Sequence, residues 1–581
     1  MKKINNIWFL VVGFGLLVFS SCAKDFLEQE NTTNLNQETF FDSDESVAAA
    51  TATLYNYVWS SFNGKAYYGM GDGRANNITA QYSDYIYPYT NFTDGSLSQG
   101  LADAWNSLYS VVARSNEAIY NIEHYATSAV SQDAKAQAIA EARFMRGTAY
   151  WHIAMLWGGG IIYTVTSDLV NSYSSVKPNP AVDMVEFAIR DLEYAAETLP
   201  ETPSATGRLS CYSAWGMLSR VYLTMAGLTT DGKYDTANHS NVATNFDRHK
   251  RNEYYLNLAS MAALVVVAYA ETSGKIGLME DYGDLFSPEL AKSNNNKETL
   301  FQLQWTTGST DAIGWGCNQD IVAFYGWSTM VADGTNWGGA TYCSWDLWKE
   351  FHKEGDDPVR RHYSIASDGE YYPYYNKANG GYTYGETETA GNQGANICKY
   401  VVGVNKDNGY SFKQSAGINT YMLRYSEVLL NLAEALLGNE EQTSGDVALE
   451  AFNQVRSRAG MPKKTSIGYE DLRHERRVEF AFEGRYWYDL VNRALYYQTD
   501  VVNYLNNQQR NASYGLSSST YAGEECANYF LTKDYAAPGP SVNVATELKL
   551  ILQVPDADQG KNPNLKPGTD GKMVTEYYTF E

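Results

Sequence analysis

Apolar residues recur every three to four positions through most of this chain, the spacing that lays one face of an α-helix against a core. Over 46–62 the face is Ala49, Ala52, Leu54, Tyr55 and Val58, and over 102–125 it is Trp105, Leu108, Val112, Ala118, Ile119 and Ile122. The same spacing predicts helices over 133–157, stopped by Gly158-Gly159-Gly160, over 180–199 before Pro200, over 210–226 and over 254–269. It returns at 421–437, 445–459 and 470–492. The segments fall as pairs joined by short loops, with small residues where helices would cross and large aromatics between. That is the texture of tetratricopeptide-type repeats, whose period is about 34 residues, although no clean motif recurs. Strand–helix alternation is absent, so a mainly α solenoid is expected rather than a doubly wound sheet.

Between 274 and about 417 the texture changes: Gly, Asn, Tyr and Trp rise and the helices shorten. Long irregular stretches in compact proteins usually carry function. The tail from Ala494 reads as loop-rich, and 23–45 as a polar, extended tether. Ahead of the tether, Lys2 and Lys3 precede an apolar run over 7–19, of signal-peptide length and too short to span a membrane comfortably. Phe19-Ser20-Ser21-Cys22 then has the order of a bacterial lipobox, in which small side chains fit the signal peptidase and the thiol receives a diacylglyceryl group. Several acyl chains on Cys22 would anchor the protein stably. Asp25, Glu28 and Glu30 just beyond fit export to the outer face.

Charge narrows the partners. The formal net charge is −23, and removal of Lys2 and Lys3 with the signal takes it to −25. A surface this acidic repels phosphate backbones and anionic lipid head groups, so nucleic acid is excluded and membrane attachment needs the covalent route. The remaining cysteines, Cys211, Cys317, Cys343, Cys398 and Cys526, are scattered, and buried thiols are expected rather than a disulfide framework, with Cys317 and Cys343 the one conceivable pair.

Catalytic motifs fail. His474-Glu475-Arg476-Arg477-Val478 begins like a zinc helix but places Val478 at the second ligand position. No phosphate loop or nucleophile elbow occurs. Asp556 to Asn562 loosely resembles a calcium loop without its closing glutamate. With 67 acidic residues no local spacing favours a glycosidase pair, so neither cofactor nor metal is expected. The positive signal is aromatic: 47 tyrosines, and 14% aromatic residues overall. Tyr82, Tyr85, Tyr87 and Tyr89 crowd one loop, preceded by Asp72, Arg74 and Asn77; Trp315, Tyr325, Trp327 and Trp337 form a second run, and Tyr372 and Tyr374 belong to a third. Sugar rings stack their C–H faces on aromatics while Asp, Asn and Arg bond adjacent hydroxyls, and rigid rings lose little entropy on binding. These residues are the candidate ligand site, the alternative for each ring being packing of its loop onto the helical body.

Several segments carry a family resemblance. Arg424-x-x-Glu427 through Ala433-Glu434-Ala435 resembles a helix of the SusD/RagB family, and Arg473 to Leu490, with Glu475, Glu479, Glu483, Gly484 and Asp489, is similar to its C-terminal signature. Trp105, Tyr109 and Asn116, the stretch Ala142-Arg143 to Gly159, and Asn562-Pro563-Asn564-Leu565 fit as well, while Val554 replaces the usual Ile and Gly560 a common acid. Taken without the family, the Glu475/Glu479/Glu483 stripe interleaved with arginines reads as a buried ion network joining packed helices. The resemblance implies a right-handed superhelix of four tetratricopeptide-like helix pairs with an irregular loop-rich lobe. It implies an outer-membrane, lipid-anchored lipoprotein facing the cell surface, and a glycan ligand passed to a SusC-like TonB-dependent transporter. A peptide-binding subunit of the RagB type is the alternative, ahead of a surface glycosidase or a protein scaffold. The division that follows is a signal peptide 1–21, a lipidated tether 22–45, a helical region 46–273, a ligand-binding lobe 274–418 and a C-terminal region 419–581.

Overall fold

A computed structural model describes residues 40–80, 85–230, 251–307, 321–322, 325, 341–366, 370–375, 377–384, 395–403, 416–510 and 547–567. The signal segment, Cys22 and the tether through residue 39 lie outside the described residues.

The amphipathic segments form helices close to their expected places: α1 (Asp44–Ala52), α2 (Leu101–Tyr125), α3 (Gln132–Trp157), α4 (Ala181–Thr198), α5 (Cys211–Leu228) and α6 (Asn252–Ser273). The ends follow local chemistry. Ser131 Oγ accepts from the Ala134 amide at 3.1 Å to start α3, and Gly158 ends it at φ +71°, where a Cβ is disfavoured. From α2 to α6 each helix packs mainly against the next in the chain, as a solenoid requires. By length and composition α6 is apolar enough to cross a membrane, yet it packs against α5 and buries Ala259, Ala262, Ala263 and Val266. The helix expected over 46–62 stops at Ala52. Asn56 leaves helical geometry (φ −146°, ψ −75°), and short turns follow that sink Trp59, whose Nε1 donates to the Leu54 carbonyl.

The lobe is built on small antiparallel sheets. Strands β1 (Ile78–Ala80), β2 (Thr299–Leu303), β3 (Thr341–Cys343), β4 (Ile365–Ala366), β5 (Asn396–Ile397) and β6 (Thr420–Arg424) make one four-stranded sheet, ordered β1-β3-β5-β4, and the pair β6-β2. Two short helices, α7 (Trp345–Phe351) and α8 (Pro358–Ser364), lie between these strands. Residues 421–424, expected to open a helix, are instead the strand β6: the run Tyr-Met-Leu-Arg is apolar enough for either, and its pairing with β2 decides.

Helix then returns as α9 (Tyr425–Leu437), α10 (Asp446–Arg458), α11 (Tyr469–Glu479) and α12 (Tyr486–Asn507), with the two-residue strands β7 (Gln442–Thr443) and β8 (Ile467–Gly468) paired between them. Helix α9 packs on α6, its neighbour across the whole lobe, so the lobe is an excursion between two packed helices. Two expectations fail here. The helix predicted over 470–492 is broken at 480–485, where Phe482 and Gly484 take φ of +64° and +69°, and beyond Ala494 the chain runs on as helix, kinked at Tyr497, to Asn507.

The arginine–glutamate stripe is a buried network, as its spacing predicts. Glu479 takes Arg424 at 3.0 Å and also Arg458 and Arg360; Glu475 takes Arg360 at 2.6 Å and Arg456 at 2.8 Å. Glu483 takes Arg424 and Lys399, both at 2.8 Å. On α9, Glu427 is held bidentately by Arg220 and singly by Arg485. Burial alone would raise the Glu427 carboxyl, but the two guanidiniums hold it down to about 2. Since Arg360 and Lys399 come from the lobe and the glutamates from α11 and the turn after it, the network fastens lobe to helical body. Cys211 and Cys398 are buried thiols and Cys343 is buried too, while Cys317 and Cys526 lie outside the described residues.

Candidate functional site

The first predicted loop begins as a tight turn over Gly69–Gly73 laid against the 480–485 turn. The approach is so close that a Cβ on Gly71 would sit 2.4 Å from the Gly484 carbonyl oxygen. At its centre the Asp72 carboxylate accepts from the Gly484 amide at 2.5 Å, the Phe482 amide at 3.2 Å and Asn77 Nδ2 at 2.8 Å. Those donors explain the broken helix: turning two backbone N–H groups toward Asp72 needs the left-handed residues at 482 and 484. Burial pushes the Asp72 carboxyl up to about 6 against the pull of the three donors.

Six residues expected to touch ligand are therefore structural. Asp72 is fully enclosed. Arg74 pairs with Asp94 at 2.7 Å and lies over the Trp487 and Phe92 rings. Asn77 accepts from Arg477 Nε at 3.0 Å. Tyr89 is buried and donates to the Gln99 carbonyl. Tyr325 is buried edge-on against Tyr68, 4.7 Å between centroids, and donates to the Phe482 carbonyl. Tyr372 is buried, stacked on His362, and donates to Glu370. In each case a group suited to sugar hydroxyls is turned to partners inside the fold. Tyr374 is only partly exposed and packs on Tyr375. Tyr85 is partly exposed, and Tyr87 keeps 49% of its surface in solvent. Tyr82, Trp315, Trp327 and Trp337 lie outside the described residues.

Strands β1 and β3 pair with Ile78 opposite Cys343, Thr79 opposite Tyr342 and Ala80 opposite Thr341. In the sequence the run bearing Tyr82 follows β1 and the run ending at Trp337 precedes β3, and Ser344 adds to the pairing of the two strands by donating to the Asn76 carbonyl. Sequence reasoning missed the supports beneath: Tyr68, Arg477 and the Phe482–Gly484 turn. Their one visible signal was a glycine closing a charged helical run.

Catalytic chemistry finds no footing among the described residues. His474 Nδ1 is 2.8 Å from Glu350, and Glu475 is spent on Arg360 and Arg456, so the zinc-like run is structural. No group of three His, Cys, Asp or Glu among the described residues is placed to hold a metal. Asp556 to Asn562 begins as a short helix, Asp556–Lys561, not a cation loop. Three concavities, of about 600, 400 and 390 Å³, are lined by residues outside the aromatic loops.

Comparison with known proteins supplies the context. Residues 297–568 match the family described as SusD family, and residues 25–223 the family described as starch-binding associating with outer membrane. A SusD-like protein of Bacteroides ovatus is 34% identical over 96% of this chain and 96% of its own length. A crystal structure at 34% identity has a TM-score of 0.78, covering 93% of this chain and 100% of its own. Another, solved with xylogluco-oligosaccharide, has 33% identity and a TM-score of 0.76 over 92% of this chain and 100% of that one.

Proposed function

The chain belongs to the SusD family of non-catalytic, outer-membrane glycan-binding proteins, and from that premise we propose that it lays an oligosaccharide or polysaccharide across the rings leaving the β1–β3 end. The observation that carries the reading is the register Ala80 opposite Thr341, taken with the aromatic runs that follow β1 and precede β3 in the sequence. Runs of aromatic rings suit a polymer that stacks along its length. Tyr82, Trp315, Trp327 and Trp337 are the ring contacts, with Tyr85 and Tyr87 at the margin. The relative solved with xylogluco-oligosaccharide supports a sugar ligand over a peptide.

Delivery follows as the finer part of the proposal. Lipid on Cys22 holds the protein to the cell surface, where it serves as a lid for a SusC-like TonB-dependent transporter. The solenoid is then a right-handed superhelix of four tetratricopeptide-like pairs, of which α2 with α3, α4 with α5 and α6 with α9 pack directly, while α10 and α11 both pack on α9. The lobe, 274–418, is inserted within the third pair, between the helical region 46–273 and the C-terminal region 419–581.

Affinity electrophoresis against neutral and acidic polysaccharides, beside a peptide panel, tests the ligand class. Trp327→Ala and Trp337→Ala are each expected to weaken retention about tenfold, on the scale of one buried aromatic anchor, with unchanged thermal midpoint. Full retention by both variants, or peptide binding alone, refutes the reading. Cys22→Ala should yield unanchored, unlabelled protein, and persistent lipid labelling would count against the anchor.

A further inference from the structure

The groove of about 390 Å³ opens where the end of α9, the β7–β8 pair and α12 meet. One wall is a stack: the Arg493 guanidinium lies between the Tyr469 and Tyr497 rings, 3.6 and 3.9 Å from their centroids. Both rings are thereby held in place before anything binds, and Tyr497 keeps 48% of its surface in solvent. The backbone of α12 leaves helical geometry at Tyr497 itself (φ −137°, ψ 66°). A kink forfeits regular hydrogen bonding, and this one sets the ring beside the groove. The facing wall is the Gly438–Asn439 turn, steadied by Asn439 Nδ2 donating to Asn252 Oδ1 at 2.7 Å. Asn492 lines the groove, and its Oδ1 is buried with no hydrogen-bond donor. Glu440 and Glu441 stand at the rim, and neither forms an ion pair among the described residues.

These features select a ligand chemistry. A pre-set ring offers a stacking surface, and the rim carboxylates accept hydrogen bonds. A ligand with many hydroxyls and an apolar ring face satisfies both. A uronate would meet carboxylates of its own sign, and a purely apolar ligand would strip water from the rim carboxylates without replacing its hydrogen bonds. The volume falls within the usual range for small-ligand sites, about 300 to 1,000 Å³. We infer that this groove is a second glycan subsite, taking a short neutral segment at a position that shares no lining residue with the loop face. The inference rests on the glycan-binding reading above. A polymer spanning both sites gains avidity without either binding tightly alone.

Calorimetric titration of the whole protein with a xylogluco-oligosaccharide and with a laminari-oligosaccharide, each at millimolar excess, reads the number of sites. An oligogalacturonate is the charged comparator. The expected result is two sites for at least one neutral probe, with the weaker one reduced tenfold or more in Tyr497→Ala and absent for the oligogalacturonate. Arg493→Lys, which keeps the charge but loses the planar stack, should weaken the same site if Tyr497→Ala fails to fold. A single site, no site, a second site indifferent to both substitutions, or equal binding of the uronate overturns the inference. Trp327→Ala separates it from its premise: loss of the stronger site alone supports both readings. No effect of Trp327→Ala beside a real effect of Tyr497→Ala sinks the loop face and leaves the groove standing.

Discussion

Around Glu479 and along the β1–β3 end the protein uses similar side chains to opposite effect. In the first region Arg360, Arg424 and Arg458 converge on one carboxylate with Glu475, Glu483 and Glu298 beside it, and all of these are buried. Each charge there is tolerable only because its partners are present. At the sheet end the floor is equally closed, with Asp72, Tyr68 and Tyr325 sealed inside, but Tyr87 is left half in water. The difference lies less in residue type than in whether a partner elsewhere in the chain has already taken the group up. Tyrosine in this protein is as much a core residue as a contact residue.

The largest expected effect comes from breaking the matched region. Glu479→Ala leaves three buried guanidiniums short of charge, and urea unfolding should show a loss of about 3 to 5 kcal/mol, or no soluble protein. Glu479→Gln should recover part of it, and a loss below about 1 kcal/mol would mean the network is not what fastens lobe to body.

Acid separates the buried carboxylates, because Asp72 and Asp489 titrate in the opposite sense to Glu427. Asp72 and Asp489 are pushed up to about 6 by burial, so their contributions are complete below the unfolded carboxylate value near 3.9 and are lost as pH rises through about 6. Glu427, held down to about 2, contributes above its unfolded value near 4.3 and fails as pH falls toward 2. Denaturation midpoints should therefore rise from about pH 7 to about pH 5, each aspartate supplying on the order of 1 to 3 kcal/mol, and fall again below about pH 4. A monotonic decline from neutral to acid would contradict the enclosure of Asp72.

The smallest effect belongs to the open face. Tyr87→Ala should leave stability within about 0.5 kcal/mol and weaken glycan binding roughly two- to five-fold by calorimetry, as a marginal ring would. A stability loss of several kcal/mol would place Tyr87 among the core tyrosines instead.

How much of this was legible in the sequence varies with the range of the interactions involved. Helices α2 to α6 declare themselves because a 3.6-residue period needs no knowledge of partners. The glutamate stripe was legible too, since glutamates four apart amid arginines have few alternatives to mutual pairing. The break at 480–485 was not, because its cause, Asp72, lies 410 residues from Phe482. The same separation hid the burial of Asp72 and Asn77: an acid and an amide in a glycine-rich loop look alike whether they await a sugar or hold a distant turn. Strand β6 was misjudged for a local reason, a short apolar run that suits either period.

The lobe leaves the solenoid at the end of α6 and rejoins it at α9, two helices that touch. A segment with both stems on adjoining posts is a cassette, and its replacement asks that two ends meet and that β1 and β6 find strands to pair with. The exchange carries one condition set by the Glu475–Glu483 region. An incoming cassette has to bring cations where Arg360 and Lys399 stand, or the receiving frame is left with stranded carboxylates. The rest of the lobe can then vary in sequence while the fastening stays fixed.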